Sequence, residues 1–378
     1  MLDESLLDAP EELARADRRG LLRGAAEAGA RVRAATQHAT DAGITGLNPE
    51  GRPRAVLVAG SGTAAAGVAD LIATLASSAL PVTRIRPTGV APAAGALRWA
   101  LPGWAGSVDL LLIATADGTE PGLTLLAEQA YRRGCTVVAV APRNSPLRET
   151  IGGTHGLVVP MATAPHGEYD AETSAAGPGT LWALFTPLLV LLDRVGLVDA
   201  PPEALGRVAD RLDRTAERCG PAVVTYSNPA KTLAAELADS LPLIWTEGAA
   251  AGPAGRRFAA VLAELAGRPA LASELPEALP AHGVLMAGAL EAGADPDDFF
   301  RDRIDDPEAL HARVVLLRDR PVGGLSAAPA ARELALGHST PISELEPEEG
   351  SELEALAELL AVTDFAAVYL ALASANRA

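Results

Sequence analysis

Short, wholly apolar runs alternate with stretches of helical periodicity along this chain. Residues 54–59 (RAVLVA) read as a buried strand, which enters a Gly-Ser-Gly-Thr turn and then a helix over 64–78. The same alternation predicts strands at 82–85 and 109–114, a loop at 115–119, a helix at 122–133 and a strand at 136–141. Residues 10–38 read as mostly helical, with Asp8 placed to cap, Pro10 in the first turn, and Glu11 and Glu12 at the positive helix end. The most apolar stretch, 181–192, is closed by Asp193 and Arg194. It falls short of the ~20 residues that span a bilayer and reads as a buried or dimer-facing helix.

A seam falls at 196–202, where Pro201-Pro202 follows a helix end. Beyond it the pattern predicts a helix at 203–218, a strand at 221–226, a helix at 230–240 opened by Asn228-Pro229, and a strand at 241–245. A helix over 252–265, strands at 284–287 and 313–318, and a last helix over 351–373 complete the chain. Strands and helices at this spacing form right-handed βαβ units around a parallel sheet. The expected fold class is α/β, with domains at 1–200 and 201–378, each a parallel sheet flanked by helices.

Composition narrows the picture. A chain of 378 residues suits two cores, and with 49% apolar but only 3% aromatic residues these must be built from Ala, Val and Leu. A net charge of −17 argues against nucleic acid as a partner. It argues less against a small anion, which backbone amides and hydroxyls can hold. Cys135 and Cys219 offer no disulfide framework, and an acidic N-terminus without an apolar run gives no secretory signal. A cytoplasmic protein with no membrane partner is expected. The six histidines (38, 155, 166, 282, 311 and 338) lack metal-ligand spacing, and no cofactor or metal is expected. No Gly-x-Ser-x-Gly elbow is present.

Two strand-to-helix loops could carry chemistry. Gly60, Ser61, Gly62 and Thr63 lie where open α/β sheets bind ligands, with amides, hydroxyls and close backbone approach suited to phosphate or sugar. A tight turn capped by Thr63 is the plainer alternative. A dinucleotide site would want a third glycine where Ala65 and Ala66 stand, and an acid where β-strand 82–85 runs into Arg86. In the loop 115–120 (TADGTE), Thr119 is placed to cap the next helix, with Asp117 and Glu120 near its positive end. A second ligand-gripping loop and capping alone are both open readings.

Strand, Gly-rich turn, helix, strand and a Thr-Glu-containing loop resemble a sugar isomerase (SIS) domain. Further stretches resemble the bifunctional phosphoglucose/phosphomannose isomerases: 181–192 with Val195-Gly-Leu197, Asn228-Pro-Ala-Lys231 with 233–238 (LAAELA), Glu274-Leu-Pro-Glu277, 314–319 (VVLLRD) and 364–370 (DFAAVYL). Together these cover most of the chain in the family's order. The resemblance implies two SIS-type domains, a phosphorylated sugar or sugar derivative as ligand, and a homodimer. It also implies aldose–ketose isomerisation of glucose 6-phosphate or mannose 6-phosphate to fructose 6-phosphate. Glu264 falls at the family's base, and His282 near its ring-opening histidine, displaced by about two positions. Gly60 to Thr63 and Thr119 would hold the phosphate.

The family pattern is incomplete. Ala114 and Ala116 stand where the second loop carries serines, Asp117 replaces a glycine, and Ala64 replaces the first loop's serine. The arginine that neutralises the enediolate falls at Pro178, and the C-terminal lysine has only Arg377 in its region. Arg143, His166 and Arg256 are substitutes without a motif. Two functions follow as expectations: a sugar-phosphate isomerase, or a catalytically impaired SIS protein that binds a sugar derivative and acts as a sensor or regulator.

Overall fold

The computed structural model describes residues 3–47, 51–76, 80–153, 156–162, 177–288, 311–320 and 324–374. The chain forms two compact units, one of Arg19–Asp213 and one that joins Met1–Arg18 to Arg214–Ala378. Two parallel sheets, one in each unit and flanked by helices, give the α/β class that the sequence implies. His155, His166, Arg377 and the acidic segment around 291–308 lie outside the described residues.

In Arg19–Asp213 the sheet runs β2-β1-β3-β4-β5, with β1 Val56–Ala59, β2 Val82–Ile85, β3 Leu110–Ala114, β4 Thr136–Ala141 and β5 Leu157–Pro160. The central strands β1 and β3 are buried on both faces, which is why they read as unbroken apolar runs. Leu57, Ala59, Ile85, Leu111 and Ile113 pack on one face against Leu123, Leu126 and Ala130 of the helix Pro121–Arg132 and against Leu147 and Ile151 of Pro146–Gly152. The helix Pro178–Arg194 packs against Ala28–Asp41, Gly62–Ala76 and Leu21–Ala26, and its residues 178–192 are all buried. That burial accounts for its apolarity without a second chain.

In the other unit the sheet runs β7-β6-β8-β9, with β6 Ser240–Glu247, β7 Leu271–Glu274, β8 His311–Arg318 and β9 Ile342–Leu345. Leu243, Trp245, Val314 and Leu316 form its core with Ala278, Met286 and Ala331. The helix Glu352–Ser374 is long and apolar enough to cross a membrane, yet its apolar window is 94% buried inside the fold, which makes it a core helix. It packs against Ala251–Ala266 and Pro229–Leu237.

Residues 10–38 are mostly helical, as expected, in three helices, Pro10–Ala16, Leu21–Ala26 and Ala28–Asp41, with Gly20 left-handed at φ 64° ahead of the second. Two sequence expectations are corrected. Residues 221–226 form turns and a short 3₁₀ helix at Thr225–Ser227. The buried Lys231 ammonium donates to the Pro221 and Val223 carbonyls at 2.8 and 2.7 Å, two of the acceptors a strand would give its ladder. Residues 284–287 end the helix Ala278–Ala287, since a short apolar run fits either period.

Candidate functional site

The chain leaves β1 toward β2 on one side, and β3 toward β4 on the other, so a crevice opens at the C-terminal ends of β1 and β3. Gly60 follows β1, and an added Cβ there would stand 2.1 Å from the Ala114 carbonyl oxygen at the tip of β3. Gly62, at φ 77°, turns the chain into the helix Gly62–Ala76, with Thr63 half-buried in its first turn. The two loops meet through a carboxylate. The Ser61 hydroxyl donates to Glu120 Oε1 at 2.5 Å, and the Thr115 hydroxyl donates to Oε1 and Oε2 at 2.9 and 3.0 Å. Glu120 is only 1% exposed, and among the described residues no cation pairs with it.

The second loop spends its donors internally. The amides of Asp117 and Gly118 donate to Thr115 Oγ1 at 3.1 and 3.0 Å. Thr119 gives both its amide and its hydroxyl to Asp117 Oδ1, at 3.2 and 2.5 Å. Thr119 therefore does not cap the following helix. Glu120 holds the cap position and makes no capping bond, because its side chain turns back to Ser61 and Thr115. Pro121, directly after Glu120, is the first helical residue.

The second sheet repeats the topology, with its reversal between β6 and β8. Here too a carboxylate of the chain sits at the strand tip. Glu247 ends β6, is buried, and accepts from Ser326 Oγ at 2.8 Å and the Ala327 amide at 2.5 Å, with Arg318 at 3.4 Å. Burial alone would raise its pKa, but Ser326, Ala327 and Arg318 outweigh it and hold the group below the usual glutamate value. A depressed folded pKa contributes stability that is full above the unfolded value and fades as pH falls through the folded one. Glu247→Gln should therefore lose less melting temperature than the parent between neutral pH and about pH 3. Parallel acid limbs would contradict this.

The two residues aligned with the catalytic pair lie in this unit, in different settings. His282 is buried, and its Nδ1 accepts the Trp245 Nε1 proton at 2.6 Å, with the rings stacked at 6.2 Å. Burial lowers its pKa, so the ring is neutral, and the accepting Nδ1 assigns the proton to Nε2. Glu264 is exposed, near the end of the helix Ala251–Ala266. That helix starts just past β6, so its first turn lies at the strand tips. At 1.5 Å per residue, Glu264 is about 20 Å along the axis from that end. The cleft at the tips of β6 and β7, about 330 Å³, is lined by Thr246, Gly252, Arg256, Ser273, Glu274 and Glu277, and Arg256 pairs with Glu274 there. Arg143 is exposed in the loop after β4. Pro178, where the family's arginine would stand, opens the buried helix Pro178–Arg194.

Comparison with known proteins supports the fold. Residues 226–375 match the family described as bacterial phospho-glucose isomerase C-terminal SIS domain. No curated protein sequence matches. A presumed phosphosugar isomerase from Silicibacter pomeroyi aligns over 94% of this chain and 97% of its own, at 16% identity and a TM-score of 0.58. The hypothetical protein TT0462 of Thermus thermophilus aligns over 97% and 89%, at 14% identity and a TM-score of 0.61. A glucose-6-phosphate isomerase-like protein of the same organism aligns over 96% and 91%, at 19% identity and a TM-score of 0.52. At these identities the likeness carries the fold.

Proposed function

We propose that this SIS-domain protein binds a sugar derivative at the β1–β3 crevice of Arg19–Asp213 and does not carry out the proton transfer of the isomerases it resembles. The observation that supports this most is the exposure of Glu264 about 20 Å along its helix from the strand tips of its own sheet. A general base must come within hydrogen-bond reach of the proton it takes. Proline at the arginine position and the committed donors of the second loop point the same way. Each missing charge-stabilising donor costs about 3 kcal/mol of barrier.

The ligand site is Gly60, Ser61, Gly62 and Thr63 with the loop from Thr115 to Glu120; Thr119 stands beside it through Asp117. A homodimer in the cytoplasm, acting as a sensor or regulator, completes the proposal. The isomerase reading keeps one support, the family match over 226–375, which includes Glu264 and His282. The two separate in one experiment: fructose 6-phosphate is supplied to the protein and to Glu264→Gln, and glucose 6-phosphate and mannose 6-phosphate are assayed. The expected result is no turnover in either, with thermal stabilisation by an unphosphorylated sugar. Turnover that Glu264→Gln abolishes would establish the enzyme instead.

A further inference from the structure

The cleft between β6 and β7 has a buried hydroxyl at its wall that the rest of the fold does not use. Thr246 and its register partner Glu274 lie side by side on neighbouring parallel strands, so both side chains face the helix Ala251–Ala266. Gly255 of that helix is filled from below, since a Cβ there would stand 2.4 Å from the Thr246 methyl. Gly252, one turn earlier, has polar neighbours: a Cβ there would stand 3.1 Å from Glu274 Oε1 and 3.5 Å from Arg256 Nη1. The missing side chain at 252 leaves room in the cleft of about 330 Å³. Thr246 lines this cleft and is 3% exposed, and its Oγ1 has no hydrogen-bond partner among the described residues. A buried hydroxyl without a partner is costly, so an orphan at the wall of a polar cleft points to an occupant from outside the chain. At about ten times the ~30 Å³ of one water, the cleft has room for more than a single bridging solvent molecule.

The remaining wall sets the chemistry of that occupant. Donors are the Thr246 hydroxyl, the Arg256 guanidinium and the amides of the helix's first turn; acceptors are the Glu274 and Glu277 carboxylates. Arg256 pairs with Glu274 across the cleft, and with the positive helix end the charges nearly cancel. The complement of such a wall is uncharged and both donates and accepts at each of its groups, as hydroxyls do. We propose that the β6–β7 cleft binds one neutral polyhydroxyl molecule of monosaccharide size, anchored on the buried Thr246 hydroxyl. The Arg256–Glu274 pair holds two neighbouring hydroxyls, one accepting from the guanidinium and one donating to the carboxylate. The site belongs to the other unit from the β1–β3 crevice and does not depend on the reading of that crevice.

The test is calorimetric titration of myo-inositol and of glucitol, a cyclic and an open-chain polyol, into the full chain. The tighter of the two should lose at least tenfold in affinity in Thr246→Val, which keeps the side-chain shape and removes the hydroxyl. Because that hydroxyl has no partner within the described fold, Thr246→Val should also leave the unliganded urea midpoint equal to or above the parent's. Gly252→Ala places a methyl in the cleft against the flexible end of Glu274; it should weaken binding similarly, and it serves if Thr246→Val fails to fold. Absence of binding of both polyols to the parent, or binding unchanged in both variants, overturns the site. A lower unliganded midpoint for Thr246→Val shows the hydroxyl to be held by the fold and its solvent, which overturns the anchor. Inorganic phosphate that binds the parent and is lost in Thr246→Val overturns the neutral ligand class. All of these outcomes are read at Thr246 and Gly252, so they leave the reading of the β1–β3 crevice standing.

Discussion

Asp364→Leu should destabilise the unit that contains the second sheet by about 3–5 kcal/mol. Asp364 and Arg257 form an ion pair at 3.1 Å between the helices Glu352–Ser374 and Ala251–Ala266, with side chains 4% and 2% exposed. Burial raises the Asp364 pKa and Arg257 opposes that rise, so the carboxylate depends on its one cation. The guanidinium is already under-satisfied, since Nε and Nη1 have no hydrogen-bond partner among the described residues. Removing Asp364 leaves a buried positive charge with no partner among the described residues. Replacing both residues, as Arg257→Met with Asp364→Leu, removes the charge and should return most of the lost stability. Urea midpoints of the parent, both single variants and the double variant measure this; a double variant no more stable than Asp364→Leu alone would show that the ion pair is not the source.

Gly60→Val is the second large effect, and it links packing to ligand binding. The added Cβ would lie 2.1 Å from the Ala114 carbonyl oxygen and 2.6 Å from Ala65 Cβ. The first of these is backbone at the tip of β3, so relief requires β1 and β3 to part where Ser61 reaches Glu120. Overpacking of this kind costs about 1–3 kcal/mol. The expected outcome is a lower thermal midpoint together with loss of sugar binding. An unchanged midpoint would contradict the close approach of the two strand tips.

Most of the strands legible in the sequence are buried on both faces; the edge strand β2, read at 82–85, is only partly buried. β1, β3, β4 and the central portion of β8 read as continuous Val, Leu, Ile and Ala, because nothing polar can stand in a doubly covered strand. The strands that went unread, β5, β7 and β9, lie at the edges of their sheets. They are four residues each and only partly buried, and β7 and β9 carry polar residues such as Ser273, Glu274, Ser343 and Glu344. For these two, pairing partners rather than composition make them strands. Residues 221–226 show the converse, an apolar run whose carbonyls are taken by Lys231 from the next helix.

The candidate site divides in the same way. Glycines at 60 and 62 and the hydroxyls around them mark a strand-to-helix loop, which local sequence can show. The turn of Glu120 back to Ser61, 59 residues earlier, is a tertiary contact that capping rules cannot anticipate. Nor can they show that His282 is held by Trp245, 37 residues away. The exposure of Glu264 depends on which face of its helix meets the sheet, since Val261 and Leu262 are buried beside it.

Proton exchange tests the central claim most directly. Fructose 6-phosphate held with the protein in deuterium oxide would gain deuterium at C1 if any base on the chain abstracts the proton, whether or not product is released. The account predicts no incorporation above the protein-free rate, while an unphosphorylated sugar still shifts the melting temperature. Deuterium at C1 that disappears in Glu264→Gln would contradict it.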